Sequence, residues 1–143
     1  MEPWWQGRRS LRISVFLCHS SGDKPAVREL CDRLIADGID AWLDEDRILP
    51  GQDWDAEIQK AMRACDVVIV CLSRNSTAKE GYVQKEIRRA LDVAEEKPDQ
   101  TIFVVPVKLE PVQVPVRLQK WQYVELFSKD GYQRLYDALG ACQ

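Results

Sequence analysis

Apolar residues along this chain change their spacing several times, and each change marks an element. Residues 11–18 are rich in Leu, Ile, Val and Phe and read as a strand. The polar turn His19-Ser20-Ser21-Gly22-Asp23 follows, and then Val27, Leu30, Cys31, Leu34 and Ile35 recur at helical spacing. Asp23 is placed to cap that helix, Pro25 is tolerated in its first turn, and Gly38 stands where a helix stop belongs. Residues 39–44 predict a second strand, and the loop 45–52 carries Pro50-Gly51 as a turn signal. Asp53 caps a second helix with the stripe Trp54, Ile58, Ala61, Met62 and Cys65, and residues 67–72 make a third strand. A polar loop over 73–79 precedes a long amphipathic helix from about residue 80 to 96. Residues 101–109 read as a fourth strand, 110–122 as a proline-punctuated loop and 123–126 as a short fifth strand. A last helix over 128–141 carries Tyr132, Leu135, Tyr136 and Leu139.

The third and fourth strands are continuously apolar rather than alternating, as expected of parallel strands covered by helices on both faces. Right-handed crossovers then give an α/β, flavodoxin-like, doubly wound sheet of five parallel strands. Its expected order is 2-1-3-4-5, with helices on both faces. Residues 1–10 read as an N-terminal extension and 11–143 as a single domain, without internal repeat, low-complexity tract or linker. In such a sheet the winding reverses between strands one and three, and ligands bind beyond the carboxyl ends of the strands at that point. The topology nominates His19, Ser20 and Ser21 on one rim and Ser73, Arg74 and Asn75 on the other. Ser20, Ser21 and Gly22 are candidate donors to a phosphate.

Composition narrows the classes. Twenty basic residues against 23 acidic ones leave a net charge of −3, too balanced for nucleic-acid binding by bulk electrostatics. The cysteines are Cys18, Cys31, Cys65, Cys71 and Cys142, an odd number without a Cys-x-x-Cys pair, and His19 is the one histidine. That set supports neither a disulfide framework nor a metal site, and a reducing cytoplasm is the expected location. The longest uninterrupted apolar run is residues 67–72, too short to span a membrane, and residues 1–10 lack an apolar core of signal-peptide length. Trp4 and Trp5 are expected to pack on the domain, the alternative being an interface with a missing neighbour.

Five stretches carry a family resemblance in register along this frame. Val15-Phe16-Leu17-Cys18-His19-Ser20 resembles the first box of the TIR (Toll/interleukin-1 receptor homology) family. Trp42-Leu43-Asp44, leading into the loop with Pro50-Gly51, looks like that family's second strand and BB loop, and Leu72-Ser73-Arg74-Asn75-Ser76 is similar to its third-strand end. Tyr82-Val83-Gln84-Lys85-Glu86 resembles the aromatic-x-x-x-Glu segment of enzymatic members. Leu118-Gln119-Lys120-Trp121 with Tyr123-Val124-Glu125-Leu126 fits the bacterial pattern near the final strand. The resemblance covers about residues 11–140 and points to the bacterial, NAD-cleaving kind.

What the resemblance implies is an NAD+ nucleosidase, switched on by self-assembly, that cuts the nicotinamide–ribose bond by hydrolysis or cyclisation. It makes Glu86 the catalytic residue and Tyr82 an aromatic contact for the substrate, where active relatives commonly have tryptophan. His19, Ser20, Ser21, Trp42, Asp44, Ser73 and Asn75 would line the substrate site; NAD+ is substrate, and neither cofactor nor metal is expected. On a helical wheel the stripe is Val83, Ile87, Ala90, Leu91 and Ala94, with Glu86 at its edge. Helical side chains lean toward the amino terminus, so Glu86 is expected to point back toward the loop after the third strand. Read by pattern alone, Glu86 is a boundary glutamate that keeps the helix solvated. His19 reads equally as a turn-fixing hydrogen bonder, and Trp42, Trp54 and Trp121 as packing residues.

Ile48, Leu49, Pro50 and Gly51 form the BB-loop stretch, which in the resembled family gates the active site and contacts other TIR domains. The competing function is therefore a scaffold that recruits TIR domains without catalysis. Other proteins sharing this topology fit less well. A receiver domain needs an aspartate where Ser73 stands, and a flavodoxin needs a longer phosphate loop than residues 19–23. Neither nucleic acid nor membrane is an expected partner, and fusion to a sensor domain in a longer protein is.

Overall fold

Alternation along the first strand divides the interior in two. The computed structural model describes residues 13–43, 49–77, 87, 88, 91, 92, 95 and 103–141, without the side chains of residues 21, 54, 55, 58, 59, 63, 75 and 103. In β1 (Ser14–Cys18), Val15 and Leu17 join one buried cluster while Phe16 and Cys18 join another. Successive strand side chains point to opposite faces, and both faces here are covered. The first cluster is closed by Val27, Leu30, Cys31 and Leu34 of α1 (Lys24–Ala36) and by Tyr132, Leu135 and Leu139 of α4 (Gly131–Ala141). The second is closed by Met62 of α2 (Trp54–Ala64) and by Ile87 and Leu91 of a further helical segment.

The sheet is completed by β2 (Asp40–Trp42), β3 (Val67–Leu72), β4 (Phe103–Lys108) and β5 (Val124–Glu125). Its order is β2-β1-β3-β4-β5, and every pairing is parallel. This is the doubly wound, flavodoxin-like arrangement expected from the apolar runs. β3, at the centre, is buried at all six positions.

Local signals act as expected in several places. Gly38 ends α1 at φ +92°, a conformation that costs glycine little and other residues much. Leu49 to Gln52 closes a turn, with Gln52 N–H donating to Leu49 O at 3.1 Å and Gly51 at φ +90°. Asp53 caps α2, its Oδ1 accepting from Ala56 N–H at 3.4 Å. Two expected packing residues stand out in solvent instead: Ile35 is 49% exposed and Tyr136 38%. Each lies at the margin of its helical stripe, where the neighbouring position completes the core. Two stretches read as loop contain short helices, α3 (Arg74–Thr77) and a 3-10 turn at Val116–Leu118. The extension 1–10, with Trp4 and Trp5, and Cys142 lie outside the described residues.

Candidate functional site at the strand crossover

β1 and β3 are adjacent, and their carboxyl ends release the chain into His19-Ser20 and Ser73 respectively. Apolar side chains dominate the interior below, so the buried polar groups here stand apart. His19, Ser20, Asp23, Ser73 and Ser76 are the buried polar or charged residues among those described. All five lie on the two turns that follow β1 and β3. The topology thus brings together residues separated by about fifty positions in sequence.

Asp23 joins the two turns. Its Oδ2 accepts a hydrogen bond from Ser20 Oγ at 2.9 Å and another from Ser73 Oγ at 2.5 Å. Asp23 does sit at the N-cap position of α1, yet its side chain makes no capping bond. The capping role expected from sequence is therefore corrected, because the carboxylate turns inward to buried hydroxyls. Ser73 and Ser76 close the second turn reciprocally. Ser73 N–H donates to Ser76 Oγ at 2.8 Å, and Ser76 N–H donates to Ser73 Oγ at 3.2 Å. Ser76 Oγ and Thr77 Oγ1 each donate to Ser73 O, at 3.1 and 2.8 Å.

The same carboxylate acts on the core beneath it. Cys71, fully buried in β3, has its thiol pushed well above the ordinary value, first by burial and then by the charges of Asp23 and Cys31. It is kept as a neutral thiol. His19 is 7% exposed, and its buried Nδ1 has no hydrogen-bond partner among the described residues. A buried unpaired ring nitrogen carries a desolvation cost that a ligand or a water relieves.

Other candidates fall as follows. The Ser20 hydroxyl gives its proton to Asp23, so in this arrangement only its backbone N–H remains as a candidate phosphate donor. Ser21 belongs to the 3-10 turn Ser21–Asp23 and Asn75 to α3; their side chains are not among those described. Trp42 is 4% exposed, its ring 4.7 Å from Phe16 within the second core cluster. Its ring packs within that cluster, in keeping with its reading as a packing residue. Leu49 is 64% exposed, and Pro50 and Gly51 are exposed beside it. Glu86, Tyr82, Asp44 and Ile48 lie outside the described residues. Arg74 is on the outer rim, its N–H donating to Glu110 Oε2 at 2.8 Å.

Asp23 and Ser76 are the residues that sequence reading missed as members of the site. The signal was a repeated three-residue spacing, Ser20 to Asp23 and Ser73 to Ser76, which allows each turn to close on its own side chains. A surface cavity of about 290 Å³ lies where α1 meets the approach to α4, lined in part by Glu29, Arg33, Phe127 and Tyr132. Two of its polar groups, Arg33 and Tyr132, are already engaged. Tyr132 hydroxyl donates to Asp37 Oδ2 at 2.5 Å, and the Arg33 guanidinium lies 3.6 Å over the Tyr132 ring. Chemistry therefore favours the crossover site.

Comparison with known proteins adds the following. A family model described as TIR domain matches residues 15–139. The uncharacterized protein y4cD of Sinorhizobium fredii (strain NBRC 101917 / NGR234) is 32% identical over 100 residues, 69% of this chain and 16% of that protein. NAD(+) hydrolase TcpA of a Theionarchaea archaeon (strain DG-70-1) is 34% identical over 79 residues, 54% of this chain and 24% of that protein. The chain thus spans well under a third of either relative. Among solved structures, the TIR domain of the Toll-related receptor TRR-2 from Hydra magnipapillata superposes with a TM-score of 0.73 at 18% identity, covering 89% of this chain and 98% of that one. A prokaryotic SEFIR domain follows at 0.64 and 17% identity, covering 91% and 97%. The TIR domains of the activated Roq1 resistosome give 0.54 at 23% identity, covering 91% and 82%. These structural likenesses establish the fold.

Proposed function

Since the chain belongs to the TIR-domain family, we propose that it cleaves NAD+ at the nicotinamide–ribose bond when copies of it assemble. The observation that carries this reading is the gathering of buried polar side chains at the ends of β1 and β3, the place where a doubly wound sheet takes its ligand. The likeness to an NAD(+) hydrolase over 54% of the chain supports the choice of substrate.

The chemistry asks little of the protein. The nicotinamide of NAD+ is a cationic pyridinium that leaves as a neutral molecule when its bond to the ribose C1′ breaks, taking the bonding electron pair. No acid is needed to protonate the leaving group, which is the duty of one carboxylate in ordinary glycosidases. A single carboxylate, assigned to Glu86 by the family pattern, holds a ribose hydroxyl and steadies the cationic sugar in the transition state. Water then adds at C1′ and loses a proton, or a nitrogen of the same molecule's adenine bonds to C1′, closing the ring, and the adenine releases a proton to solvent. Tyr82 supplies an aromatic face to the substrate.

Assembly supplies the switch in this reading. Leu49, 64% exposed beside Pro50 and Gly51, offers an apolar contact on the loop between β2 and α2. The same exposed leucine favours a second reading, a scaffold that joins TIR domains without turnover. Nicotinamide release by protein clustered on a surface separates the two. Glu86→Gln is expected to lower kcat by at least about a hundredfold, the order seen when a preorganised electrostatic group is removed. Full turnover by that variant overturns the role of Glu86, and silence of the clustered unaltered protein favours the scaffold.

A further inference from the structure

Ser20 and Ser73, on the two crossover turns, both spend their protons on one buried carboxylate. A hydroxyl has one proton to give and two lone pairs to receive with. Ser20 Oγ donates to Asp23 Oδ2 at 2.9 Å and Ser73 Oγ donates to the same oxygen at 2.5 Å, so neither hydroxyl retains a proton for a ligand. Ser73 Oγ also receives Ser76 N–H at 3.2 Å, whereas among the described residues no donor to Ser20 Oγ is seen. The geometry points to Asp23 as the positioning residue of this site: its carboxylate ties the turn after β1 to the turn after β3 and makes Ser20 an acceptor for a donor group of the ligand.

Asp23 is 8% exposed, Ser20 2% and Ser73 3%, so water competes little for these bonds and the direction of each is held. The carboxylate also brings negative charge to the crossover, felt by the Cys71 thiol below it. That charge opposes a phosphate and favours a hydroxyl, an amide or a cation. Of the parts of a dinucleotide, the riboside that carries the cationic ring matches this polarity, and the pyrophosphate does not. Asp23 therefore acts on substrate affinity through Ser20 and through the spacing of the two turns. The inference rests on the NAD+-cleaving reading for its substrate, and on the observed hydrogen bonds for its geometry.

Asp23→Asn tests it, because the amide keeps the size, halves the acceptor capacity and brings donors of its own. The clustered full chain is assayed for nicotinamide release, with NAD+ affinity measured by calorimetry and folding by thermal melting. Asp23→Asn is expected to raise KM and Kd for NAD+ about tenfold, the equivalent of one or two reorganised hydrogen bonds, with kcat within about threefold. Ser73→Ala, which leaves the carboxylate its Ser20 partner, is expected to raise KM about threefold, and the double variant no more than Asp23→Asn alone. Loss of folded protein alone would lower apparent kcat and leave KM in place, so the KM change distinguishes positioning from stability. Should Asp23→Asn fail to fold, Ser73→Ala decides the matter by the same readouts. An unchanged KM and Kd in the folded variants overturns the role of Asp23 while leaving NAD+ cleavage intact. If the unaltered protein binds NAD+ without cleaving it, the catalytic reading fails and the Kd values still judge Asp23; if it does not bind NAD+, both fall.

Discussion

Gly131, the first residue of α4, sits where no side chain fits. A Cβ built on it would overlap Glu125 O and lie 2.9 Å from both Cα and O of Leu126, closer than the 3.0 Å below which real Cβ contacts are essentially never found. All three neighbours are backbone atoms. Glu125 O receives Ser128 N–H at 3.1 Å and Ser128 Oγ at 2.7 Å, and Leu126 N–H donates to Lys108 O at 3.0 Å, so the turn cannot retreat without loosening β5. Gly131→Ala is therefore expected to cost overpacking strain of about 1–3 kcal/mol. Disturbing one or two of the hydrogen bonds adds about 1 kcal/mol each. A loss of about 2–5 kcal/mol is a large part of a typical domain's stability and lowers Tm by about 6 °C or more. Gly140, in the same helix with nothing within 4 Å of an added Cβ, is the control. There alanine is expected to stabilise by up to about 1 kcal/mol through helix propensity alone. Urea and thermal denaturation of the two variants measure both. If Gly131→Ala melts within error of the unaltered protein, or if Gly140→Ala falls as far, the account of this corner is wrong.

Two further predictions concern charge. Below the ordinary thiol value of 9.0, Cys71 contributes fully to stability; as pH rises past it the unfolded chain ionises while the buried thiol, whose value is raised, does not, and stability falls. Urea denaturation between about pH 8 and 10 is expected to show a shallower decline for Cys71→Ala than for the unaltered protein, and parallel declines would refute the assignment. Arg117 donates to Asp92 Oδ1 at 2.6 Å and to Glu95 Oε1 at 2.8 Å, and the bond from Arg117 is the chief cause holding the Glu95 carboxyl below its usual value. These groups are substantially exposed, so Arg117→Ala is expected to cost under about 1 kcal/mol, an effect that shrinks in high salt and is lost as pH falls through the Glu95 titration; a larger, salt-independent loss in denaturation would contradict it.

The sheet was legible because its signals are redundant. The run 67–72 coincides with β3 to the residue, and burial on both faces leaves no other assignment for so short an apolar run. β4 was legible despite Pro106, which within a central strand argues against strand assignment. The structure shows why the proline is tolerated. Leu109 N–H points to Leu72 O in β3, so by alternation position 106 faces the β5 side, and β5 pairs only with Val107 and Lys108. The missing N–H therefore costs no ladder bond. Short helices such as α3 escaped detection because reciprocal serine bonds, rather than an apolar stripe, hold the turn.

The site was legible in position and not in polarity. Topology alone could nominate the turns after β1 and β3, since strand order decides where the winding reverses. It could not say which way each hydroxyl bond runs, because Ser, Thr and Asp occupy turns, helix caps and ligand sites with the same spacing. Asp23 shows the ambiguity at its sharpest. As a cap it would face the N–H groups of α1 and leave Ser20 and Ser73 free to donate; facing inward, it consumes both their protons. One side-chain rotation thus separates a crossover that offers donors to an anion from one that offers acceptors to a hydroxyl or a cation. Burial decides between them, because two serine hydroxyls at 2% and 3% exposure would otherwise lack an acceptor away from water.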